Sequence, residues 1–140
     1  MYKKIMVGYD GTRFSDCALG EAIRLAKVFG TEILLVTVPE INPMIRETAQ
    51  EINNMLVENA FAALEQAATK AKSAGVACKT EIVMADSAHA GLVDTAEKNK
   101  VDLIVVGTYG RTALLRLDMG GTTARVIGHA PCNVLVVRCL

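Results

Sequence analysis

The sequence predicts an α/β protein built on a parallel, doubly wound sheet. Two observations carry that reading. Five short apolar runs, each strand-sized, alternate with longer segments whose apolar residues recur every three or four positions. The resulting order, βαβαβαβαβ, is the rhythm of a parallel sheet with helices packed on its faces. No linker or low-complexity stretch divides the 140 residues, so residues 1–140 are expected to form one three-layer domain with a full core.

The first strand is expected over Lys3 to Tyr9. Its centre, Ile5-Met6-Val7, is a continuous apolar run of the kind that is covered on both faces. It ends at Gly8-Tyr9-Asp10-Gly11, which places Asp10 at the carboxyl end of the strand, where open α/β sheets bind ligands. Asp-Gly is equally a turn signal. Ser15 is read as the N-cap of a helix reaching Phe29, with Leu19, Ala22, Ile23, Ala26 and Phe29 on one face and Gly30 as its stop. Ile33 to Val38 is the second strand, ended by Pro39. A helix between two apolar strands implies a right-handed parallel crossover.

A long helix is expected from about Met44 to Ala74. Its stripe is Ile45, Ala49, Ile52, Leu56, Ala60, Ala63 and Ala67, and Gly75 is its stop. The early part, Ile41 to Asn54, also fits a loop or lid. Val76 to Met84 is the third strand; its alternation, with Lys79 and Glu81 opposite Cys78, Thr80 and Ile82, suits a sheet edge. Asp86 and Ser87 can cap a third helix, Ala88 to Asn99, whose end carries Lys98 and Lys100. Leu103 to Val106 is the fourth strand. A last helix is expected over Thr122 to His129, and Asn133 to Arg138 is the fifth strand.

Composition narrows the function classes. Fifteen basic and fifteen acidic residues balance, and neither a basic patch nor an aromatic nucleic-acid motif is present. No apolar run approaches a membrane span, and the first ten residues hold only a three-residue apolar core, so neither membrane insertion nor a signal peptide is expected. Cys17, Cys78, Cys132 and Cys139 are far apart without a CxxC pair, and read as small buried hydrophobes kept reduced in a cytoplasm. His89 and His129 stand alone in the sequence and read as surface or cap residues.

The chemistry concentrates in Val101 to Ile127, VDLIVVGTYGRTALLRLDMGGTTARVI. Gly107 ends the strand, Gly110 follows after two residues, and Gly120 and Gly121 come after nine more, just before Thr122 and Thr123. Strand, glycine loop and helix N-terminus together suit a phosphate. Glycine lets the backbone approach a ligand, and successive N–H groups and the helix end supply donors and a favourable dipole. Arg111, Arg116 and Arg125 add charge nearby. The same glycines also describe a strand, loop and helix cap that hold no ligand.

Taken with the opening KKIMVGYD and the closing APCNVLVVR, the spacing Gly107, Gly110, Gly120 resembles the ATP-binding branch of the universal stress protein family, over essentially the whole chain. The resemblance implies a Rossmann-like, adenine nucleotide alpha hydrolase-like sheet in the order 3-2-1-4-5. It implies that Gly8 and Asp10 meet the nucleoside side of ATP, that backbone groups at Val38 hold adenine, and that Val106 lines the same pocket. Gly107 and Gly110 would open the phosphate loop, with Gly120, Gly121 and Thr122 closing it over the triphosphate, accompanied by Mg2+. Arg111 is added from its charge and position, and is equally read as a solvent-facing loop arginine. Asp118 is a weak candidate for the metal. One departure stands out: the residue after the third glycine is usually Ser or Thr in this branch and here is Gly121. Losing one neutral hydrogen bond costs about 0.5–1.5 kcal/mol, a weakening of roughly tenfold at most.

The resemblance also implies a cytoplasmic homodimer joined through the fifth strand, whose apolar edge, Val134-Leu135-Val136-Val137, invites pairing. The expected function is a nucleotide-dependent stress-response role with an unidentified protein partner and with ATP hydrolysis absent or slow. The alternative is a dimeric stress-response protein acting by protein contacts without nucleotide. No Walker lysine motif, paired carboxylates or Ser–His–Asp arrangement can be argued from spacing, so no catalytic residue is named. The turn after the first strand also lacks the serine- and glycine-rich loop of adenylating enzymes.

Overall fold

The computed structural model describes residues 1–39, 50–109 and 121–140. Among them, five strands form one sheet: β1 (Ile5–Gly8), β2 (Ile33–Thr37), β3 (Cys78–Ile82), β4 (Leu103–Gly107) and β5 (Asn133–Val137). Four helices connect them: α1 (Arg13–Phe29), α2 (Gln50–Ser73), α3 (Ala88–Lys98) and α4 (Gly121–His129). The strand order is β3-β2-β1-β4-β5 and every pairing is parallel, as expected.

The central strand is apolar on both sides because both sides are covered. Ile5 and Val7 of β1, with Leu103 and Val105 of β4, face a core filled by Ala18, Leu19, Ala22 and Ala26 of α1 and Leu64, Ala67, Ala68 and Ala71 of α2. Met6, Ile104 and Val106 point the other way, onto Leu92 and Ala96 of α3 and Val126 of α4. The alternation of period two along each strand therefore feeds two cores. The alanines of α2 allow close approach to the sheet. Asp102 fastens the start of β1 to β4, accepting from the Lys3 and Lys4 amides at 2.8 and 2.9 Å.

Several expectations shift. Helix α1 starts three residues early: its cap is Thr12, whose side chain accepts from the Ser15 amide, because Gly11 takes a φ of 81° and turns the chain sooner. Ser15 instead lies buried in the first turn. Gly30 ends α1 in the left-handed conformation and Ser87 caps α3, both as read. The stripe of α2 holds at Ala67, which is buried with Leu64, Ala68 and Ala71, but not at Ile52, which is 51% exposed. The expected start of that helix, from Met44 to residue 49, lies outside the described residues. The two histidines, distant in sequence, meet where α3 packs on α4, with ring centroids 5.9 Å apart.

The cysteine expectation is corrected at two positions. Cys17 on α1 and Cys139 beyond β5 are joined by a disulfide across 122 residues, with Cα atoms 5.6 Å apart. Cys78 and Cys132 are free, and burial pushes both thiols up.

Candidate functional site

The strand order reverses direction between β1 and β4. The helix after β1, α1, packs on one face, and the helix after β4, α4, on the other. In doubly wound folds the carboxyl ends of the strands at such a reversal are where the ligand crevice lies, here at the ends of β1 and β4.

One wall of the crevice is the β1–α1 turn. Asp10 Oδ1 accepts from the Thr12 amide at 3.0 Å and from the Thr12 hydroxyl at 2.6 Å. The Asp10 amide points at Ser15 Oγ at 3.4 Å, while Ser15 Oγ donates to the Thr12 carbonyl at 2.9 Å. The carboxylate is thus held within a short, side-chain-braced turn. Tyr9, just before it, is buried; its amide donates to the Val36 carbonyl at 2.8 Å and its hydroxyl to Asp16 Oδ1 at 2.7 Å. Burial, then the hydrogen bond to Asp16 and that residue's charge, push the phenol far above its ordinary range. Lys70 Nζ lies 3.6 Å from the same Asp16 oxygen, which ties α2 into this wall.

The other wall is the end of β4 and the start of α4. The buried Thr123 hydroxyl donates to the Gly107 carbonyl at 2.8 Å. That bond fastens the first turn of α4 beside the end of β4, which brings the helix N-terminus to the carboxyl end of the sheet. Thr108 is also buried, donating to the Val137 carbonyl at 3.0 Å. Tyr109 meets the Phe14 ring edge-on, with centroids 5.4 Å apart.

The sequence candidates fall into three groups. Gly8, Asp10, Val38, Gly107, Gly121 and Thr122 lie at the carboxyl end of the sheet or at the α4 N-terminus. Val106 is buried beneath the crevice, in the core shared with Met6, Leu92 and Val126. Gly110, Arg111 and Gly120, with Asp118, lie outside the described residues. For two of the glycines the structure supplies a packing reason. A Cβ on Gly107 would come within 2.7 Å of the Phe14 carbonyl oxygen in the first turn of α1, and one on Gly8 within 3.2 Å of Leu92 and of Val106. Gly121 differs: among the described residues, nothing lies within 4 Å of its Cβ position.

Sequence reasoning passed over the Thr12–Asp10–Ser15 network and Gly91. A Cβ on Gly91 would come within 2.8 Å of Val38, so this glycine lets α3 close on the residue that follows β2. The available signal for Thr12 was its position three residues before Ser15, the spacing of a hydroxyl cap. Among the described residues, no three His, Cys, Asp or Glu side chains gather as a metal cage. No helix of the described residues is long and apolar enough to cross a membrane.

Comparison with known proteins is decisive for the family. The model of the universal stress protein family matches residues 1–138. The chain belongs to the universal stress protein family. Universal stress protein MJ0531 of Methanocaldococcus jannaschii is 37% identical over 142 residues, spanning 99% of this chain and 83% of the relative. Among solved structures, universal stress protein UspA from Lactobacillus plantarum superposes with a TM-score of 0.87 at 27% identity, over 98% of both chains. A universal stress protein crystallised in complex with cAMP superposes with a TM-score of 0.77 at 25% identity, over 97% of both. These similarities agree with the sheet order and helix placement described above.

Proposed function

We propose that this universal stress protein binds ATP in the crevice at the carboxyl ends of β1 and β4, and that nucleotide occupancy serves a regulatory, stress-response role with hydrolysis absent or slow. The observation that carries this reading is the Thr123–Gly107 hydrogen bond, which holds the α4 N-terminus beside the end of β4. A phosphate chain there meets helix amides and the segment of the Gly107, Gly110, Gly120 pattern. Asp10 offers its carboxylate toward the ribose side, and Val38, at the end of β2, offers backbone groups to adenine. The relative in complex with cAMP supports an adenine nucleotide as the ligand class.

Mg2+ is expected to enter with the phosphates, which commonly supply most of its ligands alongside water. The described residues gather no acidic cage for it, and Asp10 Oδ1 already accepts two bonds from Thr12. The chain's own part is to bind and orient the nucleotide. The expectation of absent or slow hydrolysis rests on the sequence, in which no catalytic motif can be argued from spacing.

The reading includes one 140-residue domain acting in the cytoplasm as a homodimer through β5. The two sheet edges differ in a way that supports this. β3 carries exposed Lys79 and Glu81, with Lys79 3.9 Å from Glu32, and such charge blunts an edge. β5 presents Val134, Leu135, Val136 and Val137, all incompletely buried. Sedimentation of the wild type against Val136→Lys tests the dimer, and a monomeric wild type would overturn it.

The test of ligand binding is calorimetric titration of Mg-ATP, with GTP as control, into protein stripped of nucleotide. Micromolar binding of ATP over GTP, lost in Gly110→Val and Gly120→Val, is the expected result. Absence of heat and of competition with a fluorescent ATP analogue would favour the nucleotide-independent alternative, for which Gly121 is the motivating residue. Retained affinity in both glycine variants would overturn the phosphate site.

A further inference from the structure

We propose that Cys17 and Cys139 form a reversible thiol–disulfide clamp that fastens the C-terminal tail to the helix walling the crevice and releases it on reduction. The inference does not depend on the nucleotide reading. It rests on where the pair lies and on what surrounds it.

Cys17 sits one turn into α1, the helix whose preceding residues build the Asp10–Thr12 turn and whose Phe14 packs against Gly107 and Tyr109. Cys139 follows β5 by two residues. The bond between them therefore joins the tail beyond an edge strand to the first turns of the helix bounding the candidate site. Cys139 Sγ also lies 3.5 Å from the Arg13 carbonyl, which can accept from the thiol once the bond is open. With the bond closed, residue 139 is tied to α1.

Two features make the clamp a switch rather than a permanent staple. Both cysteines are only partly buried, so a small thiol or disulfide can reach them. Neither belongs to the two apolar cores of the described residues, so opening the bond releases a tail without emptying a core. Cys78 and Cys132 provide the internal contrast. Cys78 lies within one apolar core and Cys132 packs against the other, which limits access to both.

The chemistry balances with a low-molecular-weight disulfide as oxidant. The Cys139 thiolate attacks one sulfur of that disulfide, forms a mixed disulfide and expels one small thiolate. The Cys17 thiolate then attacks the Cys139 sulfur, forms the intramolecular bond and expels the second small thiolate. Two electrons pass from the cysteine pair to the small disulfide, and the two protons released by the cysteines go to the departing thiolates. Reduction is the same sequence reversed.

The test equilibrates the full chain in buffers of varied reduced-to-oxidised glutathione ratio, quenches in acid, alkylates and maps free thiols by mass spectrometry. Cys17 and Cys139 are expected to lose alkylation together, as one linked peptide pair, in a reversible two-electron transition. Cys78 and Cys132 are expected to stay alkylatable after denaturation at every ratio. Amide hydrogen exchange over residues 133–140 supplies the conformational readout: about tenfold slower exchange in the oxidised chain, as for a segment moved from local fraying to an anchored state. Cys139→Ser and Cys17→Ser are expected to match the reduced wild type in both buffers. Linkage of a different pair, resistance of the bond to excess reduced glutathione, or equal tail exchange in the two redox states would each overturn the proposal.

Discussion

Replacing Gly107 by alanine tests whether the end of β4 and the first turn of α1 are locked together. The added Cβ would lie 2.7 Å from the Phe14 carbonyl oxygen, 2.8 Å from its carbon and 2.9 Å from its Cβ. Ordinary contacts begin near 3.4 Å, so the helix start or the strand end must retreat by several tenths of an ångström. Rotating a side chain cannot relieve this, because two of the three atoms are backbone. The turn is also braced, by the Thr12 cap, by Ser15 and by the Phe14–Tyr109 ring contact. Overpacking of this kind costs about 1–3 kcal/mol, which for a chain of this length lowers Tm by roughly 3–12 °C. Gly121→Ala is the matched control. It adds the same methyl at a position where, among the described residues, nothing lies within 4 Å, and it replaces glycine in a helix. That control is expected to be neutral or to stabilise by up to about 1 kcal/mol. Circular dichroism melts of the three proteins decide the matter. A Gly107→Ala melt within about 2 °C of wild type, or an equal loss in Gly121→Ala, would refute the steric argument.

Four further outcomes are expected. Thr123→Val removes the donor to the buried Gly107 carbonyl and should cost about 1–3 kcal/mol in urea unfolding, together with weaker ATP binding in calorimetry. Gly121→Ser returns a hydroxyl at the helix start and should tighten ATP binding by up to roughly tenfold, with Tm unchanged or raised. At Asp102, burial raises the carboxyl but the Lys3 and Lys4 amides outweigh it, so its folded pKa lies below the ordinary value. Its contribution is present above the unfolded carboxylate range near pH 4 and is lost as pH falls through the lowered folded value; Asp102→Asn should therefore flatten the fall of Tm below about pH 4. The Tyr9 phenol is raised by burial and by Asp16, so it favours the folded state below the unfolded value near pH 10 and loses that contribution as pH climbs through the folded one. Absorbance titration should show one tyrosine fewer ionising before alkaline unfolding in wild type, a deficit absent in Tyr9→Phe.

What the sequence disclosed and what it hid follow from the range of the interactions involved. The strands and their order were legible because each is an apolar run with its own stops, and the family resemblance supplied the order. The crevice was half legible. Glycine spacing placed Gly107 and Gly121 at the same end of the sheet, but spacing carries no record of what each glycine faces. Gly107 proves to be constrained by the α1 backbone and Gly121 by nothing within 4 Å among the described residues, although both look alike in a pattern. Thr12 was missed as a cap because Ser15 is as good a capping residue by type. What decides between them is the positive φ at Gly11 and the Asp10 carboxylate, which accepts from the Thr12 amide and hydroxyl. The stripe of α2 was misjudged at Ile52 because a three-to-four step fits a helix anywhere along its length, whereas burial begins only where the helix lies over the sheet. The Cys17–Cys139 bond was out of reach of any local rule, since 122 residues separate its ends and the fold alone brings α1 beside the end of β5. The same reasoning explains why the histidines looked isolated until α3 and α4 packed. Positions whose role depends on one neighbour in the chain can be read from sequence; those whose role depends on a neighbour across the sheet become readable only once the strand order is known.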